Sequence, residues 1–283
     1  MRLTRIYYNE DLSKGACFSF SKEISHRLVK VLRAKLGDQC LVFDGKGNEA
    51  LCEITGLTKS QVSVEVVELC DKNTESPIRT HLFQALCKND KMDWLIQKSV
   101  ELGVTEITPI ITKHCDVRIS KEKFQKNHDK WQNIIISACE QSDRSVIPKL
   151  NFVSDFSDVL NDEAANKFIL SPSQGEERLP RRYAPSNDGA AEKDSRDEKG
   201  GISCGDTSFR HCDRPEGAWQ SHHNSSEFFN ILIGPEGGFH KSEVETAIEN
   251  GWQATQLGPR ILRTETAAIV MLSLLQNQFG DFK

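Results

Sequence analysis

The chain has 283 residues, 27% of them charged, with a formal net charge of −5 at pH 7. That length accommodates two domains, and the acidic balance excludes a protein that coats nucleic acid by bulk basicity, so any such contact must rest on a local patch. No run of about 18 apolar residues exists to span a membrane as a helix. The start MRLTRIYYNED lacks the apolar centre of a secretion signal. Nine cysteines, an odd number without any C-x-x-C, form neither a disulfide framework nor a standard zinc site. Reduced thiols in a cytoplasmic protein that needs no metal are the simplest account.

Residues 1–72 are expected to form a small β domain. Strands are predicted over residues 2–8 and 17–20. In SKEISHRLVKVLRAK, Ile24, Leu28, Val31 and Leu32 recur on one helical face, behind Ser21 as N-cap. Residues 40–43, the turn Asp44-Gly45-Lys46-Gly47 and residues 50–54 predict a hairpin. Val62, Val64 and Val66 alternate as a further strand. The polar stretch 71–77 is the expected linker.

A second domain, residues 77–283, comes next. Its first predicted elements are a strand at 81–85 and a helix at 91–102. That helix turns Met92, Leu95, Ile96, Ser99 and Val100 inward and is stopped by Gly103. Next come a strand at 107–111, a long helix at 121–141 carrying Trp131, Ile134, Ile135 and Ala138, and a strand at 168–170. Such alternation implies a mostly parallel α/β sheet. Residues 172–227 break the pattern. Leu179, Ile202, Phe209 and Trp219 are their only large aliphatic, Phe or Trp residues, too few to offset the entropy of ordering, so a disordered insertion is expected. A zinc site through Cys204, His211, Cys212, His222 and His223 fits no standard spacing.

Two similar units close the chain. Ile231, Leu232 and Ile233 form a short strand that Gly234-Pro235 stops. Gly237-Gly238 then let backbone come close to a ligand, and a helix starts at Lys241. In the echo, Gln256 and Leu257 end a strand, Gly258-Pro259 turn the chain, and residues 264–276 form a strongly apolar helix. In open α/β sheets, ligands collect at the carboxyl ends of strands. Neither G-x-G-x-x-G nor G-x-x-x-x-G-K-[ST] is present, and Arg260 and Arg263 are the only cations in these loops. They look built to hold a ligand with little phosphate through backbone groups. His114 and Cys115 lie just past a strand end, but no nucleophile motif accompanies them.

IGPEGGF and LGPRILRTETAA, together with KNDKMDWLIQKSVELGV, ACEQSDR, RIYY and VLR…GD…FDGKG, resemble the RsmE family of SPOUT methyltransferases. The likeness spans nearly the whole chain except about 172–227. It implies a knotted, mostly parallel α/β sheet with helices on both faces, behind an N-terminal PUA-like β-barrel that binds RNA. The two loops would thread as a trefoil knot. The implied activity is methylation of N3 of a uridine in 16S ribosomal RNA with S-adenosylmethionine, by a homodimer. The apolar last helix also needs covering on more than one side. The same fold leaves open another RNA position, a ribose 2′-OH or a guanine, or a non-catalytic ribosome-assembly factor.

Cofactor contacts are expected from the two loops, at Leu232, Ile233, Gly234, Pro235, Glu236, Gly237, Gly238, Leu257, Gly258, Ile261, Leu262 and Thr266. Candidate RNA contacts are Arg2, Arg5, Arg33, Lys88, Glu140, Gln141 and Arg144. Arg5 and Arg33 are favoured because they sit in motifs that carry the resemblance, and the polar cluster Glu140, Gln141 and Arg144 would meet either RNA or the other loops. Uracil N3–H must lose its proton, so a base or an anion-stabilising group is needed near the methyl. Glu236, Glu265, Arg260 and Arg263 are the candidates. A guanidinium stays protonated, so the arginines would stabilise charge on the uracil oxygens. Arg260, expected beside a buried Ile261-Leu262 pair, is the favoured one. Its alternative is a salt bridge to Glu236 or Glu265. Glu265 also suits the first turn of a helix through the macrodipole.

Overall fold

The computed structural model describes residues 3–10, 12–58, 60–115, 121–160, 162, 164–171 and 227–282. Arg2, residues 172–226 and the zinc reading that falls on them lie outside this set. The first five strands are β1 (Thr4–Tyr7), β2 (Cys17–Ser19), β3 (Gln39–Phe43), β4 (Glu49–Leu57) and β5 (Val62–Cys70), in the order β1-β3-β4-β5-β2. The predicted alternation is there: Val62, Val64 and Val66 are buried with Ile6, Val42 and Ile54 in one core. The hairpin turn is tied by Asp44, whose carboxylate accepts from the backbone of Lys46 and Asn48 and from the Asn48 amide.

Ser21 caps α1 (Lys22–His26), accepting from the Ile24 N–H at 3.4 Å. The regular helix lasts only five residues and passes into a π-helical turn, Arg27–Val31. Widening the turn rotates the residues after it, so the expected apolar face is broken. Leu28 is buried, but Val31 and Leu32 are 69% and 46% exposed.

The second sheet comprises β6 (Arg79–Ala85), β7 (Glu106–Ile111), β8 (Lys149–Leu150), β9 (Ser154–Asp155), β10 (Asn166–Leu170), β11 (Phe228–Ile233) and β12 (Gln253–Thr255). Every pairing is parallel, in the order β12-β10-β11-β6-β7-β8, with β9 also on β7. The helices are α2 (Asn89–Glu101), α3 (Lys121–Ser142), α4 (Phe156–Val159), α5 (Lys241–Glu249) and α6 (Thr264–Gln278). Alternate strand residues face opposite sides. Leu82, Phe229, Ile231 and Ile233 pack with α2, α3 and α6, whereas Phe83, Ile169 and Leu232 pack with Val244 and Ala247 of α5 and with Trp252. Helices therefore cover both faces. β12 stops two residues before the expected end, because its neighbour β10 ends at Leu170 opposite Thr255 and leaves no ladder to join. The apolar α6 is largely covered by its own chain: Ala268, Met271, Leu272 and Leu275 are buried, and Leu274 is 38% exposed. No described helix is long and apolar enough to cross a membrane.

Buried arginines join the two sheets. Arg5 of β1 pairs with Glu49 and donates to the carbonyls of Cys139 at 2.9 Å and Arg144 at 3.3 Å and to Ser145 Oγ at 3.3 Å. Arg144 bonds Glu75 at 2.7 Å and the carbonyls of Val100 and Val104 at 3.0 and 2.8 Å. Glu140 grips both terminal nitrogens of Arg27 at 2.8 Å and the Tyr7 N–H at 3.2 Å. Arg5, Glu140 and Arg144, candidates for RNA contact, are held by other parts of the chain: Arg5 and Arg144 are buried and Glu140 is half-buried. Arg33, Lys88 and Gln141 lie at the surface, Arg33 with a left-handed φ of 54°.

Arg5→Met should lower stability by about 3–5 kcal/mol, because Glu49, 6% exposed, then stays buried without its cation. Arg5→Met with Glu49→Leu should cost clearly less than the two single losses added. Urea denaturation of the four proteins checks this, and additive losses would show that the pair is not coupled.

Candidate active site

Because the second sheet is parallel, the loops after β6, β7, β11 and β12 leave one edge together. The loop after β11 needs its glycines. A Cβ on Gly234 would stand 3.2 Å from the Phe239 ring and from its backbone nitrogen. Gly238 has φ +68°, a conformation that side chains disfavour. A Cβ on Gly237 would meet His114 Cβ at 3.3 Å, so this residue serves packing between loops as well as the cavity wall. His240 and Glu243 form a reciprocal cap on α5, and Glu243 also accepts the Lys113 N–H at 2.8 Å. His114 Nδ1 lies 3.2 Å from the Gly238 carbonyl. The loops after β7 and β11 are thereby held to each other. The His114 ring faces the Gly238 carbonyl and His240, while Cys115 Sγ sits 3.3 Å from Thr112 Oγ1. That is not a nucleophile–base pair.

The loop after β12 turns at Gly258, φ +85°, and delivers the chain to Thr264. The Thr264 hydroxyl donates to the Gly234 carbonyl at 2.6 Å and accepts from the Gln84 amide at 2.9 Å. This joins the echo loop, the first glycine loop and β6 at one buried point. Thr266, the threonine expected at the cofactor, is exposed and off the cavity wall. Two residues along a helix is roughly 200° around it, so only one of the two threonines in TETAA can face the loop. Gln84 carried no signal beyond being polar inside an apolar strand.

The two loops enclose a cavity of about 470 Å³. Its wall includes Ile233, Gly234, Pro235, Glu236, Gly237 and Gly238 from the first loop and Leu257, Ile261 and Leu262 from the second. Lys91, Leu170, Ser171, Thr255, Gln256, Thr264 and Ala267 also line it, none of them foreseen as cofactor contacts, as do Arg260 and Arg263. Two other expected residues do not line it. Leu232 points into the core on the opposite face of the sheet, and Gly258 is at the outer turn. The buried Ile261-Leu262 pair is also corrected: Leu262 is half-buried, but Ile261 is 84% exposed on the cavity wall.

Arg260 and Arg263 are exposed at the cavity. Among the described residues neither pairs with Glu236 or Glu265. Lys91 holds both carboxylates instead, at 3.0 and 3.8 Å, which disfavours the salt bridge that stood as the alternative role of Arg260. Burial works against the charge on Glu236, but hydrogen bonds from backbone and from Lys91 outweigh it and lower its pKa. Such a carboxylate stays ionised and is a weak proton acceptor. Among the described residues, no three His, Cys, Asp or Glu side chains are grouped to hold a metal.

A parallel sheet with glycine loops around a cavity at its carboxyl edge, behind a small β domain, defines an RNA methyltransferase of the SPOUT class. The family model described as an RNA methyltransferase domain matches residues 74–193 and 207–276, and an RNA methyltransferase PUA domain matches residues 20–67. The ribosomal RNA small subunit methyltransferase E of Buchnera aphidicola (from Schizaphis graminum) is 33% identical over 280 residues, 99% of this chain and 98% of that protein. A Legionella pneumophila methyltransferase structure in complex with SAM covers 100% of both chains at TM-score 0.79 and 33% identity. The Neisseria gonorrhoeae ribosomal RNA small subunit methyltransferase E, bound to S-adenosyl methionine, covers 100% of both at TM-score 0.78 and 31% identity. The chain belongs to the ribosomal RNA small subunit methyltransferase E family.

Thr264→Val keeps the shape of the side chain and removes its hydroxyl. The Gly234 carbonyl and the Gln84 amide are then left buried with one partner fewer, at a cost of about 1–3 kcal/mol. Thermal unfolding should register that loss, and calorimetry should show weaker binding of S-adenosylmethionine. A variant with wild-type stability and affinity would show that this hydroxyl does not hold the loops.

Proposed function

We propose that the chain methylates N3 of a uridine in 16S ribosomal RNA with S-adenosylmethionine, in the cytoplasm. The carrying observation is the single cavity walled by both glycine loops, with Arg260 beside it and not engaged by either loop carboxylate. The residues present fit the cofactor. The volume suits a ligand of that size, the backbone of 233–238 and 256–262 offers amide groups, and Leu257 and Leu262 offer apolar surface. No phosphate cradle competes. When bound, S-adenosylmethionine supplies an activated methyl group. The chain's own part is position and electrostatics. Arg260 presents a fixed fork of donors to a uracil oxygen that gains charge as N3 loses its proton. Arg263 adds positive potential, and Glu236 braces the loop through Lys91.

The same reading takes residues 1–72 as the part that grips RNA, with Arg33 at its surface, and residues 77–283 as the catalytic part, with Lys88 and Gln141 exposed on it. It includes a trefoil threading, favoured by Thr264 returning from the sheet edge to the Gly234 carbonyl. It also includes a homodimer, favoured by Leu274 at 38% exposure on α6 and Trp94 at 45% on α2.

Incubation with labelled S-adenosylmethionine and undermethylated small subunits, then mapping of the modified base, tests the activity. Modification of a ribose or a guanine would overturn the uridine assignment. Arg260→Ala should cut turnover by roughly 100-fold or more, while cofactor affinity and melting temperature stay near wild type, since no ion pair to Glu236 or Glu265 is lost. Equal falls in all three would make Arg260 structural. Sedimentation at micromolar concentration should show a dimer; a fully active monomer would remove that part of the proposal.

A further inference from the structure

Three parts of the chain meet at one ammonium group. Lys91 lies in the first turn of α2, just after β6. Its Nζ is 3.0 Å from Glu236 Oε1 in the loop after β11 and 3.8 Å from Glu265 Oε2 at the start of α6. Among the described residues, it is the cation within ion-pair distance of either carboxylate. Glu265 Oε2 is shielded from solvent and accepts no hydrogen bond among them, so its charge is balanced through space by Lys91. Lys91, Glu236, Arg260 and Arg263 all line the cavity. With Glu265 they make three cations against two carboxylates. Without Lys91 the cluster would lose its net positive charge, and two carboxylates from different loops would face each other.

This arrangement bears on charge as well as on shape, and its consequence rests on the proposed methyl-donor function. S-adenosylmethionine carries a sulfonium, and its demethylated product S-adenosylhomocysteine carries a neutral thioether. The two are otherwise nearly the same in form, so a cavity tells them apart mainly through its electrostatic potential. We infer that Lys91 sets this discrimination: its ammonium offsets Glu236 and Glu265, so that the cavity does not hold the sulfonium form too tightly. The positive charge that separates donor from product is the charge that disappears during transfer. A field that disfavours the sulfonium therefore favours its loss, which is stabilisation of the transition state relative to the bound ground state. Lys91 is a positioning residue in this scheme, acting through the two carboxylates.

The test is calorimetric and needs no RNA. The dissociation constants of S-adenosylmethionine and S-adenosylhomocysteine are measured on the full chain at low and high salt. In Lys91→Met the ratio should shift toward S-adenosylmethionine by about three- to ten-fold, the order expected for one unit charge several ångströms away in a partly solvated site. The shift should shrink as salt rises. Lys91→Arg should keep the wild-type ratio, and Lys91→Met with Glu236→Gln should bring it most of the way back. Glu236→Gln alone should move the ratio the other way, which keeps the inference testable if Lys91→Met does not fold. A ratio unchanged in both single variants, or both affinities falling by one factor, would make Lys91 a purely structural strut and overturn the inference. Failure of the wild-type chain to bind either compound would instead overturn the proposed function, and this inference with it.

Discussion

The hydroxyl of Thr264 is the point on which the site depends. It is one oxygen, buried, donating to the carbonyl of Gly234 and accepting from the amide of Gln84. Those groups belong to three separate parts of the chain: the loop after β11, the start of α6 and the end of β6. A buried carbonyl without a partner is costly, so each part is held where the others need it. The cavity is the space left between loops constrained in this way. The glycines answer to the same crowding, since Gly234 turns against Phe239 and Gly237 against His114.

Charge is arranged around that fixed frame in two tiers. The inner tier is buried and structural: Arg5 pairs with Glu49 inside the first sheet and reaches the carbonyls of Cys139 and Arg144 at the end of α3, while Arg144 pairs with Glu75 of the connecting segment. Guanidinium groups suit this work because one side chain can satisfy a carboxylate and several carbonyls at once. The outer tier rims the cavity. There Lys91 occupies both loop carboxylates, and Arg260 and Arg263 are left toward the cavity. What the arginines can do for a substrate is thus decided by which cation the glutamates take.

Among the described residues, cysteine plays no comparable part. Cys87 sits close in sequence to Lys91 at the cavity, yet burial pushes its thiol up to about 12, so it is a small core residue. Cys40, Cys52 and Cys139 are raised to about 12 by burial in the same way.

The sequence alone determined the alternation of strands and helices, the parallel sheet, the hairpin at Asp44 and both glycine loops. These are set by local rules: apolar periodicity, the fixed φ of proline and the freedom of glycine act within a few residues. It also carried the family, through motifs spread along most of the chain. Tertiary structure alone decided which side chains face which space. Arg5, Glu140 and Arg144 read as surface contacts because a charged residue in sequence shows no burial; packing of β1 against α3 turned them inward. Thr264 rather than Thr266, Lys91 rather than Arg260 as partner of the glutamates, and the exposed Ile261 were all fixed by contacts between residues far apart in the chain. The π-helical turn at Arg27–Val31 moved Val31 and Leu32 into solvent, which no 3.6-residue pattern could foretell. Periodicity says that a residue has a face, and only the packed fold says what lies opposite it.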